Sequence, residues 1–267
     1  KMAIYILQNQ NDIDFIKKEV SEINCSNIRL IYGSGIPNIY ISNSYKFKKH
    51  SPWLISFKTE KNKILKKITF IYCARLLKKK GILIFIELSK IYPENKFLVF
   101  GSIDSSTKDS LTDNDLNFYK KNLKNVTFMN NTKDPLLSIK NIPSILVVPS
   151  FYGEGFPRGV IEANTLNIPV ISSKDTAERI PLKNLVYISK TNHPNSYIEC
   201  INKIKKDYKN NNLVKKLEYA RIHAINNFSE ELIVKKTLKI YKYLNLKKNK
   251  SYLLTKDKNK LNNWLSK

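Results

Sequence analysis

"SILVVPSFYGEGFPRGVIEANTLNIPVISS", residues 144 to 173, decides how this chain is read. Its two ends, 144–150 and 168–173, are apolar without alternation, which marks strands covered on both faces, as in a parallel sheet. Between them a Gly-Phe-Pro-Arg-Gly turn opens a helix. The helix is expected to begin near Phe156 or Pro157, because proline suits a first turn, where its missing N–H has no partner to lose. Free amides around Gly155 and Phe156, backed by the helix dipole, make an anion site that takes a diphosphate without side chains, and Gly155 lets the backbone come close. Glu162 follows about one and a half turns into the helix, placed to accept two hydroxyl hydrogen bonds from a ribose. Glu154, on the loop, reaches the group beyond the phosphates. Ligands of open α/β sheets bind at the carboxyl ends of strands, where this loop falls. Spacing alone leaves a second reading open, in which both glutamates are surface residues held near a helix N-terminus by its dipole.

The same beat continues outward. Short β-branched and aromatic runs at 68–74, 96–102, 125–130 and 185–189 alternate with amphipathic stretches, among them "DNDLNFYKKNL" and "PLLSIKNI". Segment 81–92 is ambiguous by period, but its length and its place between two strands favour a helix. The fold class is therefore α/β, a Rossmann-like doubly wound parallel sheet over 67–228. A closing helix follows at 229–246, with Ser229 as cap, Glu230 and Glu231 at its positive end, and Ile233, Val234, Leu238 and Tyr241 on one apolar face. Residues 1–42 form a separate piece of strand, helix, strand and a Gly-Ser-Gly turn. Residues 43–66 are basic and without a clear period, as in a linker, and 247–267 form a lysine- and asparagine-rich tail. No internal repeat is visible.

The 267 residues are 42% hydrophobic, enough for a core. No apolar run has the roughly 18 residues of a membrane-spanning helix, and the opening lacks a secretory cleavage site, so a soluble, intracellular protein is expected. Cys25, Cys73 and Cys200 lie far apart without C-x-x-C pairing and read as buried free thiols. The formal charge of +25, from 47 Lys and Arg against 22 Asp and Glu, attracts polyanions of any kind. Genome base composition accounts for such a lysine-rich vocabulary equally well, so charge alone names no partner. The chain begins Lys1-Met2 and runs straight into a strand, which reads as a fragment lacking an earlier portion.

Compared as a whole, 144–173 resembles the donor half of GT-B glycosyltransferases of the retaining family 4, also known as glycosyl transferases group 1. The family pattern is E-G-[FL]-[GP], a second glutamate seven intervening residues after the first, then A, and further on P-V-[IV]. Glu154, Gly155, Phe156, Pro157, Glu162, Ala163, Pro169, Val170 and Ile171 match it, and the variant with Arg158 is most similar to members that build bacterial surface polysaccharides and lipid-linked oligosaccharides. "RLLKKKG", directly after the strand at 68–74, resembles the family's G-R-L-x-x-K-K-G. Weaker likeness joins "QNQNDIDF" and "IRLIYGSGIP" to the end of the acceptor half, so 1–42 is identified as its remnant. Asn167 stands where glycine is usual, which a left-handed helix end tolerates, and "SKDTAERI" lacks the family's glycines.

The resemblance implies a retaining, metal-independent hexosyltransferase using a nucleoside diphosphate sugar, with no cofactor. By it Glu154 would orient the donor sugar and Glu162 would hold the ribose. Arg75, Lys80 and the amides of Gly155, Phe156 and Pro157 would stabilise the leaving diphosphate. The acceptor would be a glycan or a lipid-linked sugar, and the enzyme would be cytoplasmic, at the cytoplasmic face of the inner membrane, with a peripheral contact to anionic lipid. His50, His193 and His223 match no motif and are expected to be structural or surface residues. Two rivals are a donor-binding subunit of a split transferase and a nucleic-acid or membrane-surface protein working through its charge; the aromatic residues do not interleave with lysine in an RNA-binding pattern, so no nucleic acid is expected.

Overall fold

The computed structural model describes residues 4–20, 24–47, 52–54, 58–129, 132–153, 155–179, 181 and 185–250. In it, β1 (Tyr5–Leu7) and β2 (Ile28–Leu30) pair in parallel, with α1 (Gln10–Glu19) on the crossover between them. Next come α2 (Asn38–Phe47) and α3 (Lys58–Lys66), and then the alternation read from the sequence: β3 (Thr69–Cys73), α4 (Ile82–Ile91), β4 (Lys96–Phe100), α5 (Asp113–Asn122), β5 (Val126–Met129), α6 (Pro135–Ser138), β6 (Ser144–Val148), α7 (Arg158–Thr165), β7 (Val170–Ser173), α8 (Lys174–Glu178) and β8 (Tyr187–Ser189). The chain closes with α9 (Pro194–Lys209), α10 (Asn212–Phe228) and α11 (Glu230–Lys250).

The second sheet runs β5-β4-β3-β6-β7-β8, with every pairing parallel. Strand order therefore reverses between β3 and β6, and the two loops leaving those strands diverge to open a crevice. Both faces of the sheet are covered, which is why the strands read as unbroken apolar runs. On one face Phe70 and Tyr72 pack with Phe85 of α4, Phe97 of β4 and Ile201 and Ile204 of α9. Phe70 stacks on Phe97 at 4.8 Å between ring centroids, and Phe85 meets Phe97 edge-on at 5.2 Å. On the other face Ile71 joins Val160, Ile161 and Ala163 of α7 and Ala220, Ala224 and Phe228 of α10.

Gly81 fixes how closely the two crevice-forming loops approach. Its φ is +80°, and a Cβ there would lie 2.2 Å from the Pro149 carbonyl oxygen, so only a residue without a side chain allows the α4 entrance to pack under the end of β6. Asn167 has a φ of 55°, so the helix end after α7 takes the left-handed turn that glycine usually supplies.

Several expectations are corrected. The described part of 43–66 is not featureless: it holds the end of α2, a 3-10 turn at Pro52–Leu54 and α3. Trp53 is buried there, donating from Nε1 to the Ser144 carbonyl at 3.1 Å and meeting Tyr208 edge-on at 5.1 Å. A single aromatic anchor carries no periodicity and so leaves no sign of itself in the sequence. Along α11, Ile233 and Tyr243 are buried, but Val234, Leu238 and Tyr241 are about half exposed; at its start the Glu230 N–H donates to the Ile36 carbonyl. Of the cysteines only Cys200 is buried; Cys73 is partly covered and Cys25 is exposed. His193 caps α9, accepting the Asn195 N–H at Nδ1, and the His223 ring lies 5.9 Å from that of Phe228. His50 and residues 251–267 lie outside the described residues. No described helix is long and apolar enough to cross a membrane.

Candidate functional site

The crevice at the reversal of strand order holds two cavities that share Cys73, Arg75, Arg158 and Gly159. The first, about 220 Å³, lies between the ends of β3 and β6; Arg75 and Lys80 form one wall, and Phe156, Pro157 and Arg158 at the entrance of α7 form the other. The second, about 400 Å³, continues past Glu162 toward Gly101, Lys133 and Pro135 at the ends of β4 and β5. A larger cavity of about 510 Å³ near Leu185, Lys203 and Lys216 opens at the amino ends of β7 and β8, the wrong end of the sheet for a switch-point ligand.

Sequence reasoning brought Arg75, Lys80, Phe156, Pro157 and Glu162 to one crevice, and the fold places all five there. Gly155 stands just outside the lining, its carbonyl turned to Asn9. Glu154 lies outside the described residues. One role needs correcting: Pro157 has no N–H, so it cannot offer an amide to an anion. It is the N-cap of α7, one position earlier than a first-turn proline, and the helical residues begin at Arg158. The amides available at this helix entrance are those of Phe156, Arg158 and Gly159.

Arg75, Lys80 and Glu162 are each held by a partner. The Arg75 guanidinium donates to Asp104 at 2.6 Å. Hydrogen bonds from Ser106, and then from Arg75, hold the Asp104 carboxyl below the ordinary carboxylate range, so it stays ionised and aligns the guanidinium. Lys80 lies over the Tyr152 ring with Nζ 4.8 Å from its centroid. Glu162 accepts from Arg158 Nε at 2.6 Å, one helical turn away, and from the buried Tyr40 hydroxyl. Burial nonetheless pushes the Glu162 carboxyl above its usual range, with Arg158 opposing the shift. The Cys73 thiol is pushed up to about 12 by burial and by Glu162, so it stays protonated and is no nucleophile.

None of these partners, Asp104, Ser106, Tyr152, Arg158 and Tyr40, was expected in that role. Arg158 and Glu162 are spaced i, i+4 on a helix, a signal visible in the sequence. Asp104 and Tyr40 reach the site from separate loops and helices, and no local pattern announces them.

A carboxylate kept in a half-buried pocket has a cost that a pH series reveals. Because the folded pKa of Glu162 lies above its unfolded value, its contribution favours folding below the unfolded pKa and is lost as pH rises through the folded one. Glu162→Gln is therefore expected to raise Tm relative to the native chain at pH 8, with the gap closing as pH falls below the ordinary carboxylate range. Thermal melts from pH 4 to 8 check this, and a Tm lowered at pH 8 would refute it.

A sequence profile of the family "Glycosyl transferases group 1" matches residues 55–222, more than half of the chain. The chain belongs to the group 1 glycosyl transferases. Its fold is similar to that of sucrose-phosphate synthase from Thermosynechococcus elongatus, at 20% identity and a TM-score of 0.68, over 90% of this chain and 57% of that one. It is also similar to a glycosyltransferase from Rickettsia africae, at 21% identity and a TM-score of 0.68, over 90% and 63% of the two chains. A third likeness is to Anabaena HepE in complex with UDP-glucose, at 16% identity and a TM-score of 0.68, over 90% and 64%. This group 1 glycosyl transferase chain thus spans 57–64% of the length of these structures. No curated protein sequence matches it significantly.

Proposed function

We propose that the chain moves a hexose from a nucleoside diphosphate sugar to a glycan or lipid-linked acceptor, with retention at the anomeric carbon and without a metal ion. The observation that carries this reading is the crevice itself: fixed cations Arg75 and Lys80 face the amide-bearing entrance of α7, and a carboxylate, Glu162, stands one turn beyond. That is a complement to a diphosphate joined to a ribose, with the second cavity leading on to a base between Gly101 and Pro135. UDP-glucose bound to Anabaena HepE, of similar fold, supports a donor of this class.

In the proposed reaction the diphosphate departs with growing negative charge, which Arg75, Lys80 and the α7 amides neutralise without rearranging. Those fixed cations supply the charge a metal would otherwise bring. Glu162 would take up the ribose hydroxyls once Arg158 yields to them, and Glu154 would orient the sugar. The acceptor would attack from the face the diphosphate leaves, and the departing phosphate would accept its proton. The enzyme would work at the cytoplasmic face of an anionic membrane, beside a lipid-linked acceptor in cell-surface polysaccharide synthesis, where its net charge of +25 would draw it to the surface.

Titration of the purified chain with UDP-, GDP- and ADP-sugars tests this. One base class is expected to bind saturably, and Glu162→Ala to weaken it by about 10- to 100-fold, the worth of hydrogen bonds to a charged acceptor. Binding that collapses with salt and ignores Glu162→Ala would instead mark a general polyanion binder.

A further inference from the structure

Resting on that reading, we infer that Asn9, 146 residues away from the donor loop in sequence, aims the Phe156 amide into the crevice by holding the carbonyl of the same peptide unit. Asn9 is fully buried at the N-cap of α1. Its Oδ1 accepts the Asp12 N–H at 2.8 Å, and its Nδ2 donates to the Asp12 carboxylate at 2.7 Å and to the Gly155 carbonyl at 2.9 Å. This network fixes the amide's orientation: turned over, the NH₂ would face the Asp12 N–H and the oxygen would face two acceptors.

Holding the Gly155 oxygen has a geometric consequence. The peptide bond to Phe156 is planar and trans, so its N–H points opposite to its C=O. A carbonyl pinned toward Asn9 turns the Phe156 N–H away from Asn9, and Phe156 lines the crevice. Among the described residues that N–H has no acceptor, as expected of a group kept for a ligand. Without the pin, a peptide flanked by glycine rotates readily, and the rotated form presents an oxygen to the phosphates.

The same hold extends to the other side of the loop. Asp12, bonded to Asn9, pairs with Arg179 at 3.4 Å, and the Arg179 guanidinium passes beside Gly153, with Nη2 3.6 Å from where a Cβ would stand. The hydrogen bond to Gly155 and the Asp12–Arg179 pair that passes beside Gly153 thus both start from the N-terminus of α1. Asn9 is a positioning residue: it touches the loop and not the ligand.

Asn9→Ser and Asn9→Asp test this, because each keeps an oxygen to cap α1 while removing the donor that reaches Gly155. The probes are UDP, GDP and ADP, each paired with its nucleoside, titrated into the full chain. For the base that the native chain binds, both variants are expected to lose about tenfold in diphosphate affinity, the worth of one well-placed hydrogen bond, while nucleoside affinity stays unchanged. Diphosphate affinity equal to native, or equal losses for diphosphate and nucleoside, would overturn the inference. If the native chain binds a diphosphate, Glu162→Ala weakens it and the Asn9 variants do not, the positioning role falls alone. If no diphosphate binds the native chain, the donor reading falls with it.

Discussion

Arg75→Ala is expected to slow sugar transfer by about 10²- to 10³-fold, the loss found when one fixed group facing a developing charge is removed. Arg75 borders both cavities, and its guanidinium is aligned by Asp104, which is held in turn by the Ser106 N–H and hydroxyl. Such a cation is in place before the diphosphate departs, so its attraction grows as the bond to the sugar breaks. The fall should therefore appear in kcat, with a smaller change in KM. Arg75→Lys keeps the charge but loses the planar fork that pairs with Asp104, and an intermediate rate is expected. Release of nucleoside diphosphate from the donor gives the measurement, and unchanged turnover in Arg75→Ala would remove Arg75 from the chemistry.

The largest effect on stability should come from Gly81→Ala. A left-handed backbone costs a non-glycine residue about 1–2 kcal/mol, and forcing a methyl into a filled space about 1–3 more. Here the Cβ would meet not only the Pro149 carbonyl oxygen at 2.2 Å but also its ring Cγ at 2.6 Å, so the end of β6 must move. A loss of about 3 kcal/mol, or about 10 °C in Tm, is expected. Gly159→Ala is the control: its added Cβ meets nothing within 4 Å, and alanine suits a helix, so stability should hold or rise. A Tm for Gly81→Ala within a degree or two of native would show that the two loops are not packed as described.

The sequence disclosed the main sheet because burial on both faces leaves strands as unbroken apolar runs, and the six strands of that sheet lie where those runs do. Within the site, Arg75 and Lys80 were named only through their likeness to the family's G-R-L-x-x-K-K-G, whereas Glu162 could also be placed by its position on the helix after β6. What escaped notice depends on distance in the chain. Trp53 under Ser144 and Asn9 on Gly155 are single contacts across about 90 and 150 positions, and neither leaves a period in the sequence. Pro157 was misassigned for a chemical reason: its place at a helix entrance was nearly right, but it lacks the hydrogen its role required.

The union of Ile36 with the α10–α11 junction bears on how the protein is made. The Ile36 N–H donates to the Phe228 carbonyl at 2.7 Å and its carbonyl accepts from Glu230 at 3.0 Å. As the polypeptide leaves the ribosome, the segment around Ile36 must wait nearly two hundred residues for that docking surface to be synthesised. Nascent chains halted before Phe228 should thus leave the Ile36 segment undocked and protease-sensitive, and translation past Glu230 should seal it.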